Sequence, residues 1–297
     1  MSRQGHTYLL ALLLPLAGCA QDAPVPLTQS NEEGCTWLRS LGPQDPYADP
    51  VPIKQACVGP YLLEFPQNYF DEQMGADFQG SFRLALEYPS LQPFKAGERA
   101  RRDVDMAMRT VKIGYSYPRK PVREVMRSFY TPWESQKGDP GASLEGRVLG
   151  APVFGLTPYY ADLPRIRAYE RSLGGRTGER DQKTTAEHLP AVRPFLDMDW
   201  YVTRDERGEI DRLIKCTTRE MHGTGIEIRD DRIFKRKDEQ TPYCDQMFMV
   251  PAMNAWGDIS YPRFMLDRWQ DMEERARELL TQGVRKDFSE AGKEMGE

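Results

Sequence analysis

Residues 81–88, SFRLALEY, set the first limit on the fold. Phe82, Leu84, Leu86 and Tyr88 alternate with Arg83, Ala85 and Glu87, the period-two pattern of a strand with one buried face. The pattern returns after the charged stretch KAGERARRD. Val104 to Tyr117 alternates through Val111, Ile113, Tyr115 and Tyr117 and is read as a second strand. Tyr61–Phe65 is a third, stopped by Pro66. DMDWYVT and EIDRLIKCT predict a hairpin around a turn ending at Gly208. QMFMVP and AWGDISY add two strands, and GTGIEIRDDRIFKRKDEQ between them reads as a polar excursion.

Helical spacing appears in fewer places. Val122, Val125, Met126 and Phe129 form an i, i+3, i+4, i+7 stripe behind Pro121, which suits a first helical position. Leu163–Ser172 is a shorter candidate. Pro262 to Gln282 carries Met265, Trp269, Met272, Ala276 and Leu279 on one face and ends at Gly283, which predicts an amphipathic helix. YSYPR at 115–119 and ISYPR at 259–263 each end a strand and lead into a helix, as if one strand-to-helix module occurred twice. The recurrence reads either as two similar strand-to-helix lobes or as a chance match in a tyrosine-rich chain; in both cases the class is α+β, with mixed or antiparallel sheets and helices packed on one face.

The ends and the cysteines bear on compartment. Arg3 precedes an apolar run, Tyr8 to Ala17, broken by Pro15 and followed by small residues and Cys19. This is the layout of a secretory signal. A run of about 10 apolar residues falls short of the roughly 20 needed to span a hydrocarbon core. The other four cysteines, Cys35, Cys57, Cys216 and Cys244, are even in number and read as two disulfides in an oxidising compartment. Of the three possible connectivities, Cys35–Cys57 with Cys216–Cys244 closes the shortest loops. Their spacings match no zinc pattern.

The predicted organisation is a signal peptide at 1–18, Cys19 with a flexible tether to residue 34, a lobe at 35–173, a linker at 174–195, a lobe at 196–283 and a polar tail at 284–297. The tether, proline-dotted and polar, would reach about 50 Å at ~3.4 Å per residue. The formal net charge is −5. Loss of the leader removes only Arg3, leaving the chain more acidic by one charge. This is no nucleic-acid binder, which would show a basic stripe, and it fits a partner with a basic surface.

Catalytic patterns are weak. Ser143, in GASLEG, lacks the second glycine of a nucleophile elbow. Asp197 and Asp199 share a strand face and could flank a scissile bond, but a solvated face at a strand's start is the preferred reading. Asp230 and Asp231 are a further acidic pair. His188 and His222 are read as surface or turn residues. No cofactor and no metal is implied. Tyr159, Tyr160, Arg165, Arg167 and Tyr169, in LTPYYADLPRIRAYERS, are the partner-binding candidates, since Tyr and Arg are common interface anchors. Met247, Phe248, Met249, Met253 and Trp256 are read as core.

Leu16-Ala17-Gly18-Cys19 resembles the lipobox of bacterial lipoproteins. That resemblance implies a diacylglyceryl thioether on Cys19, cleavage before it and acylation of the new amino terminus. Alanine at position 20 then implies the periplasmic face of the outer membrane by the enterobacterial sorting rule. CVGPYLLEFP, Cys57 to Pro66, resembles the first strand of immunity lipoproteins paired with type VI secretion phospholipase effectors. CTTREMHGTG with PYCDQMFMVP is similar to the two-cysteine hairpin region of such lipoproteins. Pro60 departs from the arginine usual in that strand. The resemblance implies a two-lobed periplasmic binder, not an enzyme, that occludes a toxin's catalytic cleft. The alternative is an envelope structural or assembly lipoprotein with no toxin partner. A hydrolase built on Asp197 and Asp199 is the third reading. Neither oligomeric state nor the partner's identity follows from the sequence.

Overall fold

A computed structural model describes residues 25–41, 44–72, 74–101, 104–173, 197–221, 226–229, 232–236 and 241–289. The signal peptide, Cys19, the linker at 174–195, His188, His222, Asp230, Asp231 and residues 290–297 lie outside these.

In chain order the strands are β1 (Val25–Ser30), β2 (Thr36–Leu41), β3 (Ile53–Val58), β4 (Tyr61–Pro66), β5 (Arg83–Glu87), β6 (Gln92–Pro93), β7 (Thr110–Ser116), β8 (Val148–Leu149) and β9 (Thr157–Tyr160). They continue with β10 (Met198–Arg204), β11 (Ile210–Thr217), β12 (Ile226–Arg229), β13 (Arg232–Lys235), β14 (Tyr243–Val250), β15 (Ala255–Pro262) and β16 (Val284–Asp287). The helices are α1 (Val104–Met108), α2 (Val122–Ser128), α3 (Leu163–Leu173) and α4 (Trp269–Gly283).

Nine strands form one antiparallel sheet in the order β6-β5-β7-β15-β14-β11-β10-β9-β8. The α+β class holds. The two lobes do not. β7, from the first half, pairs with β15 from the second, Ile113 opposite Ile259. β9, again from the first half, pairs with β10. The chain leaves the sheet and returns to it, so the halves interleave. The two SYPR segments do each end a strand and lead through proline toward a helix. Because β7 and β15 are antiparallel neighbours, those helices start at opposite ends of the sheet.

Alternation works on both faces of the central strands. Ile214, Phe248, Ile259 and Tyr261 look toward α4, whose Trp269, Met272, Ala276, Leu279 and Leu280 are buried against them. Burying five such side chains contributes roughly 10 kcal/mol before the entropy of ordering is charged. Leu213, Met247 and Met249 look the other way, toward Val122 and Met126 of α2. Helices therefore cover both faces where one was expected, because intervening residues of β10, β11 and β14 are apolar too.

Both disulfides form as paired above. Cys35–Cys57 ties the amino-terminal hairpin to β3, and Cys216–Cys244 links directly opposed residues of β11 and β14.

Five local expectations are corrected. Residues 25–30, assigned to the tether, are a strand pairing with β2. The intervening NEEG makes its turn, with Gly34 at φ 83° and Asn31 Oδ1 accepting from the Cys35 N–H at 2.9 Å. Residues 104–108 are helix, since Val104, Met106 and Met108 fit a single turn as well as a strand. The polar excursion contains the β12–β13 hairpin. Residues 284–287, assigned to a polar tail, form β16 against β4, Val284 opposite Leu63. The final helix begins later than Pro262: Arg263–Arg268 is a 3-10 segment and α4 starts at Trp269. It stops at Gly283, where any side chain would strike the Phe65 ring.

Candidate functional site

Two buried carboxylates organise one end of the large sheet. Asp197 and Asp199 are both fully buried, not solvated as expected. Asp199 accepts from the Ala161 N–H at 2.9 Å and the Arg219 N–H at 2.7 Å, with the Arg263 guanidinium 3.9 Å away. Asp197 is paired with Arg167, which also reaches Glu170 at 3.1 Å. Buried carboxylates need such partners to stay charged. Both hold chain segments together through these partners.

The five partner-binding candidates separate. Arg167 has its side chain 11% exposed and engaged with Asp197 and Glu170. Arg165 is exposed on α3, and Tyr169 is partly buried there. Tyr159 and Tyr160 point to opposite faces of the sheet, Tyr159 toward the α2 side and Tyr160 toward the α4 side. Of the five, Tyr160 lines a groove among the described residues.

That groove, about 500 Å³, is walled by Phe154, Tyr160, Tyr201, Arg219, Arg263 and Phe264. The Arg219 guanidinium lies 3.6 Å above the centre of the Tyr160 ring. Among the described residues it meets no carboxylate. Tyr160 meets Tyr201 edge-on, with ring centres 6.3 Å apart. Burial pushes the Tyr201 phenol up, partly offset by Arg263. The groove offers guanidinium cations, phenol rings and apolar walls, with Asp267 at its rim. It can grip an acidic group set beside an apolar one. It holds no arrangement of nucleophile and base.

Phe154 marks the groove's edge. Val153 and Leu156 exchange both backbone hydrogen bonds, at 3.0 and 2.8 Å, around Phe154 and Gly155. Both central residues have positive φ, 52° and 77°. Such a two-residue turn favours Asn-Gly, and a bulky side chain at its first position is strained by about 1–2 kcal/mol. Trp269 Nε1 donates to the Phe154 carbonyl at 2.9 Å and fixes the turn to α4. The ring is 52% exposed. On the turn's other side, Gly155 borders a second groove of about 840 Å³ along α4. There buried Glu273 holds Arg212 at 2.8 Å, Arg277 at 2.8 Å and Gln246 at 2.9 Å, a network that fixes α4 to the sheet.

Sequence reasoning singled out Tyr160 and passed over Phe154, Tyr201, Arg219 and Arg263. Phe154-Gly155 between Val153 and Leu156 was the available signal, a two-residue turn flanked by apolar residues. Arg263 was noticed only as the end of ISYPR.

No protein-family model and no curated protein sequence matches the chain. The fold is similar to that of Smlt3025, an immunity protein of the Stenotrophomonas maltophilia type IV secretion system. The TM-score is 0.63 and the identity 24%, over 88% of this chain and 99% of that one. Among the described residues no helix is long and apolar enough to cross a membrane.

Proposed function

We propose that this chain is an immunity protein: a lipid-anchored, periplasm-facing binder that neutralises a secreted toxin by covering it. The observation that carries the reading is the fold shared with Smlt3025 along nearly its whole length. The two disulfides support an oxidising compartment. The lipobox at Cys19 supports the anchor and, with Ala20, the outer membrane. The type IV setting of Smlt3025 supports delivery by that kind of system, whereas the CVGPYLLEFP motif supports a type VI phospholipase. A lipase is the toxin class taken from that motif. The Phe154 turn, with Arg219 and Tyr160 beside it, is the contact surface in this reading. An interface able to block an enzyme buries about 1,600 Å² around a few anchors.

The test is co-expression with the product of the adjacent gene, directed to the periplasm. Survival only when this protein is present supports the reading. Continued killing despite its presence overturns it and leaves the envelope-assembly alternative.

A further inference from the structure

The amino-terminal hairpin carries a face that the fold leaves uncovered at one end. Residues directly opposite in β1 and β2 share a face. Leu27 and Gln29 therefore lie beside Arg39 and Trp37, and Leu41 stands on the same face, at the register position of Val25. At the turn end this face belongs to the body. Trp37 is buried at 1% exposure. Asn31 Nδ2 donates to the Gly59 carbonyl at 2.7 Å, and Glu32 pairs with Arg119 at 2.5 Å.

Toward Val25 the contacts run out. Leu27 and Leu41 are 37% and 38% exposed, and Phe78 of the adjoining loop is 65% exposed. The Arg39 guanidinium lies 3.8 Å over the Phe78 ring. Its Nε and Nη1 are buried beneath this stack and, among the described residues, find no hydrogen-bond partner. The result is an apolar and cationic end, with acidic Glu32 and Glu33 at the opposite end of the hairpin.

The chain length between this face and Cys19 decides its surroundings. Val25 is the sixth residue after Cys19. At 3.3–3.6 Å per residue, that stretch spans at most about 20 Å. An acylated Cys19 therefore keeps the hairpin end within ~20 Å of the bilayer, against the ~50 Å a tether reaching residue 34 would allow. Leu27, Leu41, Phe78 and Arg39 combine the apolar and basic chemistry of a surface that lies in a lipid interface.

We propose that the Val25–Leu41 end of this hairpin rests on the bilayer that holds the anchor, with Leu27, Leu41 and Phe78 in the headgroup–acyl boundary and the Arg39 charge, stacked on Phe78, favouring an anionic lipid surface. The inference rests on acylation of Cys19. It fixes the body's orientation to the membrane, which a long tether would leave free.

The experiment uses the full acylated protein in vesicles of phosphatidylethanolamine and phosphatidylglycerol, with lipid brominated near the headgroup end of the chains. Leu41→Trp and Phe78→Trp are made singly, both at exposed positions, and wild-type emission is subtracted. Flotation establishes anchoring, and an unchanged melting temperature establishes folding. The emission of each introduced tryptophan falls about twofold on brominated vesicles if it sits ~5–10 Å into the boundary. Flotation without quenching at either position overturns the docking, including the case where a second copy or the toxin covers this face. Failure to float overturns the anchor, and the docking with it.

Discussion

Arg219 sits over the ring of Tyr160, its guanidinium carbon 3.6 Å from the ring centre, while its own N–H is held by buried Asp199 at 2.7 Å. The backbone is fixed from below and the side chain is displayed from above. On the proposed immunity role, Arg219→Ala should lower affinity for the toxin about 10–100-fold, the loss typical of an interface anchor. Stability should change little, because an exposed cation–π contact contributes about 0.5–1 kcal/mol. Calorimetric titration and a thermal melt of the same variant separate the two effects. Unchanged affinity would remove Arg219 from the contact surface.

Phe154→Asn separates folding from binding more sharply. Asparagine accepts positive φ more readily than phenylalanine, so the strain in the turn is relieved. Urea unfolding should show stability equal to or about 1 kcal/mol above wild type. Toxin affinity should fall at least tenfold, as for loss of an aromatic anchor. A variant that is destabilised yet binds normally would mean that the ring serves the fold.

Lys215 gives a pH signature. It stacks over Trp200 at 4.3 Å, opposite a second stack from Arg147 at 4.0 Å, and donates to the Phe129 carbonyl at 2.8 Å. Burial, reinforced by Arg147, lowers its pKa from 10.5 to about 8. Between those two values the unfolded chain binds the proton and the folded one does not. This residue alone therefore makes stability rise with pH from about 8 to 10.5, by about 1 kcal/mol per unit. Lys215→Met should flatten that rise. Urea midpoints above and below the folded value check it, and an identical slope in the variant would reject the assignment.

Reduction tests the cross-links. The disulfides join residues 22 and 28 positions apart. In the chain-entropy account, each contributes about 3.5 kcal/mol by restricting the unfolded state. The melting temperature should drop steeply in dithiothreitol and also, by a smaller amount, in the Cys216→Ala/Cys244→Ala double variant. A melt indifferent to reductant would contradict both bridges.

Alternation made most strands readable, because a side chain's face depends only on its neighbours two residues away. β12 and β13 are hidden by charge, because Ile226, Ile228 and Ile233 are spaced among Glu, Arg, Asp and Lys in the sequence. Asp197 and Asp199 illustrate what no local pattern can show. Their burial is balanced by Arg167, by the Ala161 N–H and by the Arg219 N–H, all distant in sequence. The candidate site was half visible for the same reason. Of the arginines marked in the sequence, Arg167 turns inward to Asp197, while Arg219 and Arg263 reach the groove from other segments. Which arginine is left uncommitted is decided by tertiary neighbours.

The pairing of Ile113 with Ile259, and of Leu63 with Val284, has a bearing on biogenesis. If the chain is exported as proposed above, it emerges from the channel amino end first. β7 then waits for a neighbour from near the other end, and β4 waits for the very last strand. Contacts this distant form slowly, since the intervening chain must first be gathered in. The molecule can complete its sheets only after export is nearly finished, which keeps it threadable up to that moment and leaves its first strands in need of shielding until then.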